Sequence, residues 1–387
     1  MIQEITRNVL YIGVDDTDLD LFESQYIIPN GISYNSYLIL DEKVAVMDTV
    51  DSRKADEWFA RLEEALAGRT PDYLIVHHLE PDHAGCMATL AERYPAMQIV
   101  ASAKSEKMMD QFFDGLNLTS RSIFVGEGDT LSLGKRTLTF LMAPMVHWPE
   151  VMVSYDDKDK ILFSADGFGK FGALSADEEW ACEARRYYFN ICGKYGPMVQ
   201  ALLKKVAHYD IEKICPLHGP ILTENLGYYI GLYDTWSSYK PESEGVFVAY
   251  ASIHGGTAVV AEKMAEILRA KGAKKVSVCD LSRDDMAEAV EDAFRYEKLV
   301  VAAASYDGGV FPPMHDFLHH LQIKGYRSRQ VGIIENGSWG PTAGRTMKGM
   351  LEQMRDVEIV GPMVTIMSRM KAHNVPQLEE LADALLA

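Results

Sequence analysis

The apolar pattern of this chain changes at a short polar stretch, Lys240-Pro241-Glu242-Ser243-Glu244-Gly245. Before this stretch, short apolar runs flank polar turns, a pattern typical of β-hairpins, and helical segments lie between them. After it, five apolar strands alternate with helical segments, which favours a doubly wound parallel sheet. A chain of 387 residues is long enough for two domains with separate cores. We therefore expect one domain over residues 1–243 and a second over residues 246–387.

Two hairpins support a mixed α+β architecture for the first domain. Residues 37–40 and 44–47 flank one polar turn, and residues 151–155 and 161–163 flank another. A helix is expected over residues 52–67, and single strands over residues 73–76, 98–101 and 138–141. Hairpins with intervening helices predict two stacked sheets with helices on the outside.

The second domain reads as α/β. Its five predicted strands are residues 246–250, 276–278, 299–303, 331–334 and 358–360. In the first helix of this half, Val260, Met264, Ile267 and Leu268 recur with the 3.6-residue period of one buried face.

Charge and cysteine content exclude several functional classes. The chain has 38 Lys and Arg against 56 Asp and Glu, so its net charge of −18 argues against nucleic acid or an anionic membrane as the main partner. No apolar run reaches 18 residues, and the first residues do not resemble a signal peptide. Five scattered cysteines without a CxxC pair predict a reducing, cytoplasmic compartment and no rubredoxin-type module in this chain.

A metal-binding motif follows the predicted strand at residues 73–76. The segment reads His77-His78-Leu79-Glu80-Pro81-Asp82-His83, and alternate residues of an extended segment point the same way. We therefore expect His78, Glu80 and Asp82 to converge, with His83 beside them. His77 points to the opposite side, so a core or supporting role is expected for it.

Three further candidate ligands follow other apolar strands, namely His147, Asp166 and His218. Because the ends of neighbouring strands gather at one edge of a sheet, residues far apart in sequence can meet there. Four imidazoles and three carboxylates are sufficient for two metal ions, with Asp166 as a bridge. The alternative is that each residue is an ordinary core or turn residue, and this alternative is strongest for His147 taken alone.

The first βα turn of the second domain has the composition of a phosphate-binding loop. It reads Ala251-Ser252-Ile253-His254-Gly255-Gly256-Thr257, and a helix begins directly after it. Small residues let backbone N–H groups approach a phosphate, and a helix N-terminus supplies partial positive charge. Because the loop contains no Lys or Arg, hydrogen bonds and dipoles would hold the phosphate.

Two more loops at strand ends complete a predicted cofactor site, because ligands bind at the carboxyl ends of the central strands in such sheets. Trp339 is placed to stack on a flavin ring, although a packing role is equally compatible with the sequence. A doubly wound domain without a cofactor is the alternative. The predicted cofactor-binding residues are Ser252, His254, Gly255, Gly256, Thr257, Ser305, Tyr306, Asp307, Gly308, Gly309, Asn336, Gly337, Ser338, Trp339 and Gly340.

Together these motifs resemble the flavodiiron proteins, with a metallo-β-lactamase-like domain followed by a flavodoxin-like domain. The resemblance implies an αββα sandwich and then a doubly wound parallel sheet. The phosphate loop is similar to the flavodoxin pattern T-x-T-G-x-T, with Ser252 and His254 in place of the two leading threonines.

The resemblance also implies the ligand set of each iron. In this family His78, Glu80 and His147 would hold one iron, Asp82, His83 and His218 the other, and Asp166 would bridge them. Zinc hydrolases of the superfamily carry a histidine where this chain has Glu80, and a carboxylate there favours iron over zinc. A Glu80→His variant is therefore expected to shift metal preference towards zinc.

The implied activity is reduction of dioxygen to water, of nitric oxide to nitrous oxide, or of both, with electrons passing through FMN. No catalytic residue beyond the metal ligands is predicted. The resemblance implies a head-to-tail homodimer or a dimer of dimers. It also implies a separate electron donor, either rubredoxin, a rubredoxin reductase system or a reduced deazaflavin.

Two other functions remain compatible with the motifs. One is a zinc hydrolase with a fused, regulatory flavin-binding module. The other is an electron carrier without catalytic activity, which would leave the seven candidate ligands unexplained.

Overall fold

The computed structural model describes residues 2–387 and divides them into two compact units. The first unit comprises residues up to 188 together with residues 197–234, and the second comprises residues 189–196 and 235–387. The second unit thus includes a short segment that lies far upstream of the polar stretch at 240–245. Across residues 2–387, no helix is long and apolar enough to cross a membrane.

The first 242 residues contain sixteen strands and seven α-helices within the described part of the chain. The strands are β1 (Gln3–Thr6), β2 (Val9–Tyr11), β3 (Val14–Asp16), β4 (Leu21–Phe22), β5 (Tyr26–Ile27), β6 (Ile32–Tyr34), β7 (Tyr37–Leu40), β8 (Val44–Met47), β9 (Tyr73–Val76), β10 (Gln98–Ser102), β11 (Ser122–Val125), β12 (Thr130–Ser132), β13 (Thr137–Met142), β14 (Met152–Asp156), β15 (Ile161–Phe163) and β16 (Lys213–Cys215). The helices are α1 (Ala55–Leu66), α2 (Pro81–Ala84), α3 (Met87–Arg93), α4 (Ser105–Phe112), α5 (Trp180–Ile191), α6 (Gly196–Val206) and α7 (Leu226–Ser237).

Two sheets form the core of the first unit. The larger has the order β1-β2-β7-β8-β9-β10-β11, and the smaller has the order β12-β13-β14-β15-β16. Apolar residues of both sheets share one buried cluster, with Ile39 and Ile75 from the first sheet and Phe140 and Phe163 from the second. The predicted sheet-on-sheet core is therefore confirmed, and both predicted hairpins are present as β7–β8 and β14–β15.

The second half of the chain contains an open sheet flanked by helices. Its strands are β17 (Ser243–Ala251), β18 (Val276–Asp280), β19 (Tyr296–Tyr306), β20 (Gly309–Val310), β21 (Arg329–Asn336), β22 (Val357–Ile359) and β23 (Val364–Ile366). Its helices are α8 (Gly256–Ala270), α9 (Met286–Arg295), α10 (Pro312–Ile323), α11 (Ala343–Leu351) and α12 (Val375–Leu386).

The order β18-β17-β19-β21-β22 is parallel throughout, as predicted for a doubly wound sheet. The predicted fifth strand is divided, because β22 pairs with the first part of β21 and the short β23 pairs with its last part. Gly361, with a φ of +67°, lies in the turn between β22 and β23. The apolar face of α8 is buried in the core, as its 3.6-residue period predicts.

Candidate functional sites

The seven candidate ligands come from four connections of the first unit. His78 and Glu80 lie between β9 and α2, and Asp82 and His83 lie in the single turn of α2. The other three follow β13, β15 and β16, in the order His147, Asp166 and His218. The structure brings all seven together in two groups of potential metal-binding residues.

The first group consists of His78, Glu80 and His147 around one oxygen of Asp166. Glu80 Oε2 lies 3.1 Å from His78 Nε2 and 3.0 Å from His147 Nε2, and the two histidine nitrogens are 3.4 Å apart. Asp166 Oδ2 lies 3.4 Å from His78 Nε2 and 3.3 Å from His147 Nε2. Ligand atoms about 2.1 Å from one ion lie roughly 3.0–3.4 Å from each other in octahedral or tetrahedral coordination. The spacing of this group fits one metal ion.

The second group consists of Asp82, His83 and His218 around the other oxygen of Asp166. Asp82 Oδ2 lies 3.3 Å from the Nε2 atoms of His83 and His218. Asp166 Oδ1 lies 3.3 Å from His83 Nε2 and 3.8 Å from His218 Nε2. The carboxylate of Asp166 thus faces each group with a different oxygen, which is the arrangement of a bridging ligand.

Several polar atoms of the second group and of Asp166 are buried without a well-directed hydrogen bond. Both carboxylate oxygens of Asp82 and of Asp166, both ring nitrogens of His83 and Nε2 of His218 lack a hydrogen-bond partner among residues 2–387. Buried polar groups left unsatisfied cost free energy, so such a concentration of them needs an explanation. Cations held between these atoms would satisfy them, and the residues present therefore fit a dinuclear metal centre.

The charge distribution of the cluster also favours cations. Burial lowers the pKa of His147, but the nearby carboxylates of Asp166 and Glu80 outweigh burial and raise it to about 9. Burial raises the pKa of Asp166, but His78 and the other imidazoles outweigh burial and hold it well below its usual range. The Asp166 carboxylate is therefore ionised around neutral pH, and a bound metal ion would displace the proton held by the His147 imidazole.

Two supporting residues, Glu150 and Ser33, orient the ligands and were not predicted. His78 Nδ1 lies 2.7 Å from Glu150 Oε1, which also accepts a hydrogen bond of 3.0 Å from the backbone N–H of Leu79. His218 Nδ1 donates to the backbone carbonyl of Ser33 over 2.7 Å. These contacts leave Nε2 of each ring as the atom that faces the cluster.

His77 has the supporting role that was expected of it. Its Nδ1 lies 2.5 Å from Asp48 Oδ2, and its Nε2 lies 2.8 Å from Ser154 Oγ, with all three residues buried. Asp48 Oδ1 also accepts a hydrogen bond of 2.7 Å from the His77 backbone N–H. This network fixes the end of β9 directly before His78. Glu150 and Asp48 have no sequence signal, because each is a single acidic residue outside any motif.

Aromatic rings pack around both groups. The ring of Tyr187 lies 5.5 Å from that of His218, and the ring of Phe22 lies 5.4 Å from it. Trp148 packs edge-on against His78 at 5.1 Å, and Phe112 stacks on Trp148 at 6.2 Å. Rings at these positions exclude water from the ligands, which strengthens the electrostatic interactions among them.

A cavity of about 1040 Å³ lies at the carboxyl ends of the strands in the second unit. All the predicted cofactor-binding residues except Gly309 line it. Gly309 instead begins β20, which pairs with the end of β19. The hydroxyl oxygen of Ser252 is buried there without a hydrogen-bond partner among the described residues. Trp339 is 94% exposed, so it does not pack into the protein core, the alternative considered for it.

A fourth loop of this cavity was missed, namely residues 368–370 after β23. The Cβ of an alanine at Gly256 would lie 2.6 Å from the carbonyl oxygen of Ser368, so only glycine allows this approach. The side-chain amide of Asn336 donates to the same carbonyl over 3.1 Å. The loop escaped prediction because β23 has only three residues. The size of the cavity, the glycine approach and the unpaired Ser252 hydroxyl fit a bound mononucleotide such as FMN.

The basic side chains of Lys324 and Arg329 are buried in the second unit. Arg329 is 3% exposed and donates to the backbone carbonyls of Tyr296, Tyr239 and Phe294, while the Lys324 ammonium donates to the carbonyl of Asn190. These side chains stabilise the second unit from inside.

The fold defines the class of this protein, a metallo-β-lactamase-like domain followed by a flavodoxin-like domain. Residues 32–219 match the family model described as "ODP family beta lactamase". The chain is 31% identical to the coenzyme F420H₂ oxidase of Methanothermobacter marburgensis, over 91% of this chain and 90% of that protein. It is 26% identical to the nitric oxide reductase of Moorella thermoacetica, over 99% of this chain and 98% of that protein.

Among solved structures, the rubredoxin:oxygen oxidoreductase of Desulfovibrio gigas superposes with a TM-score of 0.93 at 26% identity. That superposition covers all of this chain and 98% of the other. The chain belongs to the flavodiiron protein family.

Proposed function

We propose that this protein is an oxidoreductase that reduces dioxygen to water, nitric oxide to nitrous oxide, or both. Relatives named for oxidation of coenzyme F420H₂, for nitric oxide reduction and for rubredoxin-dependent oxygen reduction support this proposal. The observation that carries it is the carboxylate of Asp166, with one oxygen facing each of two ligand groups. Such an arrangement suits two metal ions held close together.

The same geometry supports an assignment of the ligands. We infer that His78, Glu80 and His147 hold one iron, that Asp82, His83 and His218 hold the other, and that Asp166 bridges them. When bound, two ferrous ions and reduced FMN together supply four electrons, enough to take dioxygen and four protons to two waters, whereas two electrons and two protons convert two nitric oxide molecules to nitrous oxide and water.

The residues of the chain would position the metals and exclude solvent from them. Glu150 and Ser33 would accept the Nδ1–H of His78 and His218, so each ring would present its Nε2 to a bound metal. The rings of Phe22, Tyr187 and Trp148 reduce access of bulk water. The flavin would bind in the cavity of the second unit, with its phosphate at the N-terminus of α8.

The zinc hydrolase is less compatible with these observations. Glu80 Oε2 lies within 3.1 Å of both histidines of its group, so a carboxylate occupies a ligand position where a zinc hydrolase of this superfamily carries an imidazole. The relatives are also named for redox reactions and not for hydrolysis.

The assembly and the electron donor are further parts of the proposal. We infer a head-to-tail homodimer, alone or paired into a tetramer, in which the flavin of one subunit serves the irons of the other. A solution mass of a monomer in active protein would contradict this assembly. The donor is a separate protein or cofactor, with rubredoxin and a reduced deazaflavin as the candidates that the names of the relatives suggest.

The proposed function is tested by metal and flavin analysis followed by gas consumption. We expect about two irons and one FMN per chain, as the two ligand groups and the single cavity imply. Chemically reduced protein should then consume dioxygen or nitric oxide, and the same protein stripped of iron by a chelator is the control. Zinc in place of iron, with no consumption of either gas, would overturn the proposal.

A further inference from the structure

The flavin cavity contains one permanently charged cation, and it lies outside the phosphate loop. Among the lining residues of the described chain, Arg369 is the only Arg or Lys. The phosphate loop itself contributes small residues, hydroxyls and His254. The whole chain carries a net charge of −18, which repels an anionic ligand. A positive charge at this cavity would offset that repulsion locally.

The loop that carries Arg369 is hydrogen-bonded to the loop after β21 and lies beside the phosphate loop. Asn336 donates to the carbonyl of Ser368, and the hydroxyls of Ser368 and Ser338 lie 3.1 Å apart. Ser368 has a φ of +67°, and the next backbone N–H, that of Arg369, donates to Met367 over 2.9 Å. Because the Ser368 carbonyl also contacts Gly256, this loop lies beside the first residue of α8.

The guanidinium of Arg369 is free to bind a ligand. No hydrogen bond or ion pair of this side chain occurs within residues 2–387, although it lines the cavity. Lys371, the neighbouring cation, already has a hydrogen-bond partner within the protein. Its ammonium donates to the carbonyl of Met367 over 3.1 Å, and Lys371 does not line the cavity. The two residues therefore form a matched pair, with one cation at the cavity lining and one engaged by the backbone.

We propose that Arg369 is a specificity-determining residue whose guanidinium binds the phosphate of FMN, so that the site prefers FMN to riboflavin. The inference rests on the proposed flavin binding. A phosphate monoester carries close to two negative charges near neutral pH, and guanidinium binds it through two parallel hydrogen bonds. The phosphate end of FMN is favoured over its ring because the Arg369 loop contacts the start of α8, where backbone N–H groups and the helix dipole attract anions.

The test compares two flavins that differ only in the phosphate. The full-length protein is stripped of flavin, and the dissociation constants of FMN and riboflavin are measured from flavin fluorescence. Arg369→Met should weaken FMN binding by about 10- to 30-fold, the range of a charge-assisted hydrogen bond. Riboflavin binding should change by less than about twofold, and the FMN effect should shrink as salt is added because salt screens exposed charges.

Lys371→Met is the matched control and should leave both dissociation constants unchanged. Equal weakening of both flavins by Arg369→Met would overturn the inference, since the residue would then act on the ring or on the loop. The inference would also be overturned if Arg369→Met left FMN affinity unchanged, or if its effect on FMN affinity did not depend on salt. An equal loss of FMN affinity in Lys371→Met would overturn it too. Failure of the unaltered protein to bind either flavin would instead contradict the proposed function.

Discussion

The two candidate sites use different parts of the polypeptide. In the metal cluster, six buried side chains and the partly exposed Glu80 converge, and each position depends on the identity of its imidazole or carboxylate. In the flavin cavity, the walls are loops with several exposed residues, and glycine, hydroxyl and backbone groups predominate.

This difference determines how each site responds to mutation. A metal ligand cannot be replaced without losing a donor atom, whereas a loop tolerates many side chains if its backbone keeps its path. Ligand substitutions should therefore act on metal content and leave flavin binding intact. Substitutions that move a loop of the flavin cavity should weaken flavin binding and leave the metal content unchanged.

The largest effect is expected for Asp166→Asn. In the unaltered protein, each carboxylate oxygen of Asp166 faces one ligand group. The amide removes the negative charge and leaves at most one oxygen that binds a metal well. We expect loss of most bound iron and a fall in gas consumption of at least about 100-fold, greater than the usual effect of a supporting residue. Elemental analysis and gas electrodes measure these outcomes. The exposed Asp177→Asn serves as the control, and an iron content that matched it would contradict the bridging role.

Glu150→Ala should have the next largest effect. Loss of this carboxylate leaves Nδ1 of His78 and the backbone N–H of Leu79 without their acceptor. Removal of such a supporting contact reduces metal affinity by about 10- to 100-fold. Chelator competition measures that affinity, and Glu150→Gln should retain more of it because the amide oxygen can accept the same two hydrogen bonds. If both variants bound metal as tightly as the unaltered protein, Glu150 would have no supporting role in the metal site.

Gly256→Ala tests the flavin cavity. Its new Cβ would lie 2.6 Å from the Ser368 carbonyl, so the loop must shift at a cost of about 1–3 kcal/mol. FMN affinity should fall roughly tenfold while iron content stays the same. Gly227→Ala, at the second residue of α7 where a Cβ meets no atom within 4 Å, is the control. Loss of iron in Gly256→Ala would contradict the expectation that the two sites respond independently to mutation.

The smallest effect concerns α11, which follows the Asn336–Gly340 loop. Gly349 lies in this helix with no atom within 4 Å of an added Cβ, so Gly349→Ala should raise the free energy of unfolding by about 0.5–1 kcal/mol. Gly344→Ala in the same helix should lower it, because its Cβ would lie 2.9 Å from the Glu335 carboxylate and 2.3 Å from Met363 Sδ. Denaturant unfolding followed by flavin fluorescence compares the two. Equal changes in the free energy of unfolding of the two variants would show that helix propensity outweighs packing at Gly344.

Much of the architecture could be predicted because its signals are local. The alternation of apolar strands and helices identified the parallel sheet, and the polar turns at 41–43 and 156–158 identified the hairpins. The split of the fifth strand was missed, since β22 and β23 have three residues each and their pairing depends on β21. Residues 189–196 belong to the second unit, which no local pattern indicates.

The sequence by itself determined the seven candidate ligands, because donor chemistry and the position after an apolar strand are both visible in a linear chain. It also determined three loops of the flavin cavity through their glycine and hydroxyl content. Only the tertiary structure decided that Asp166 faces both ligand groups, that Glu150 orients His78 and that Arg369 reaches the cavity. These relations join residues distant in sequence, and they depend on sheet pairing and packing, which act through space and leave no periodic trace along the chain.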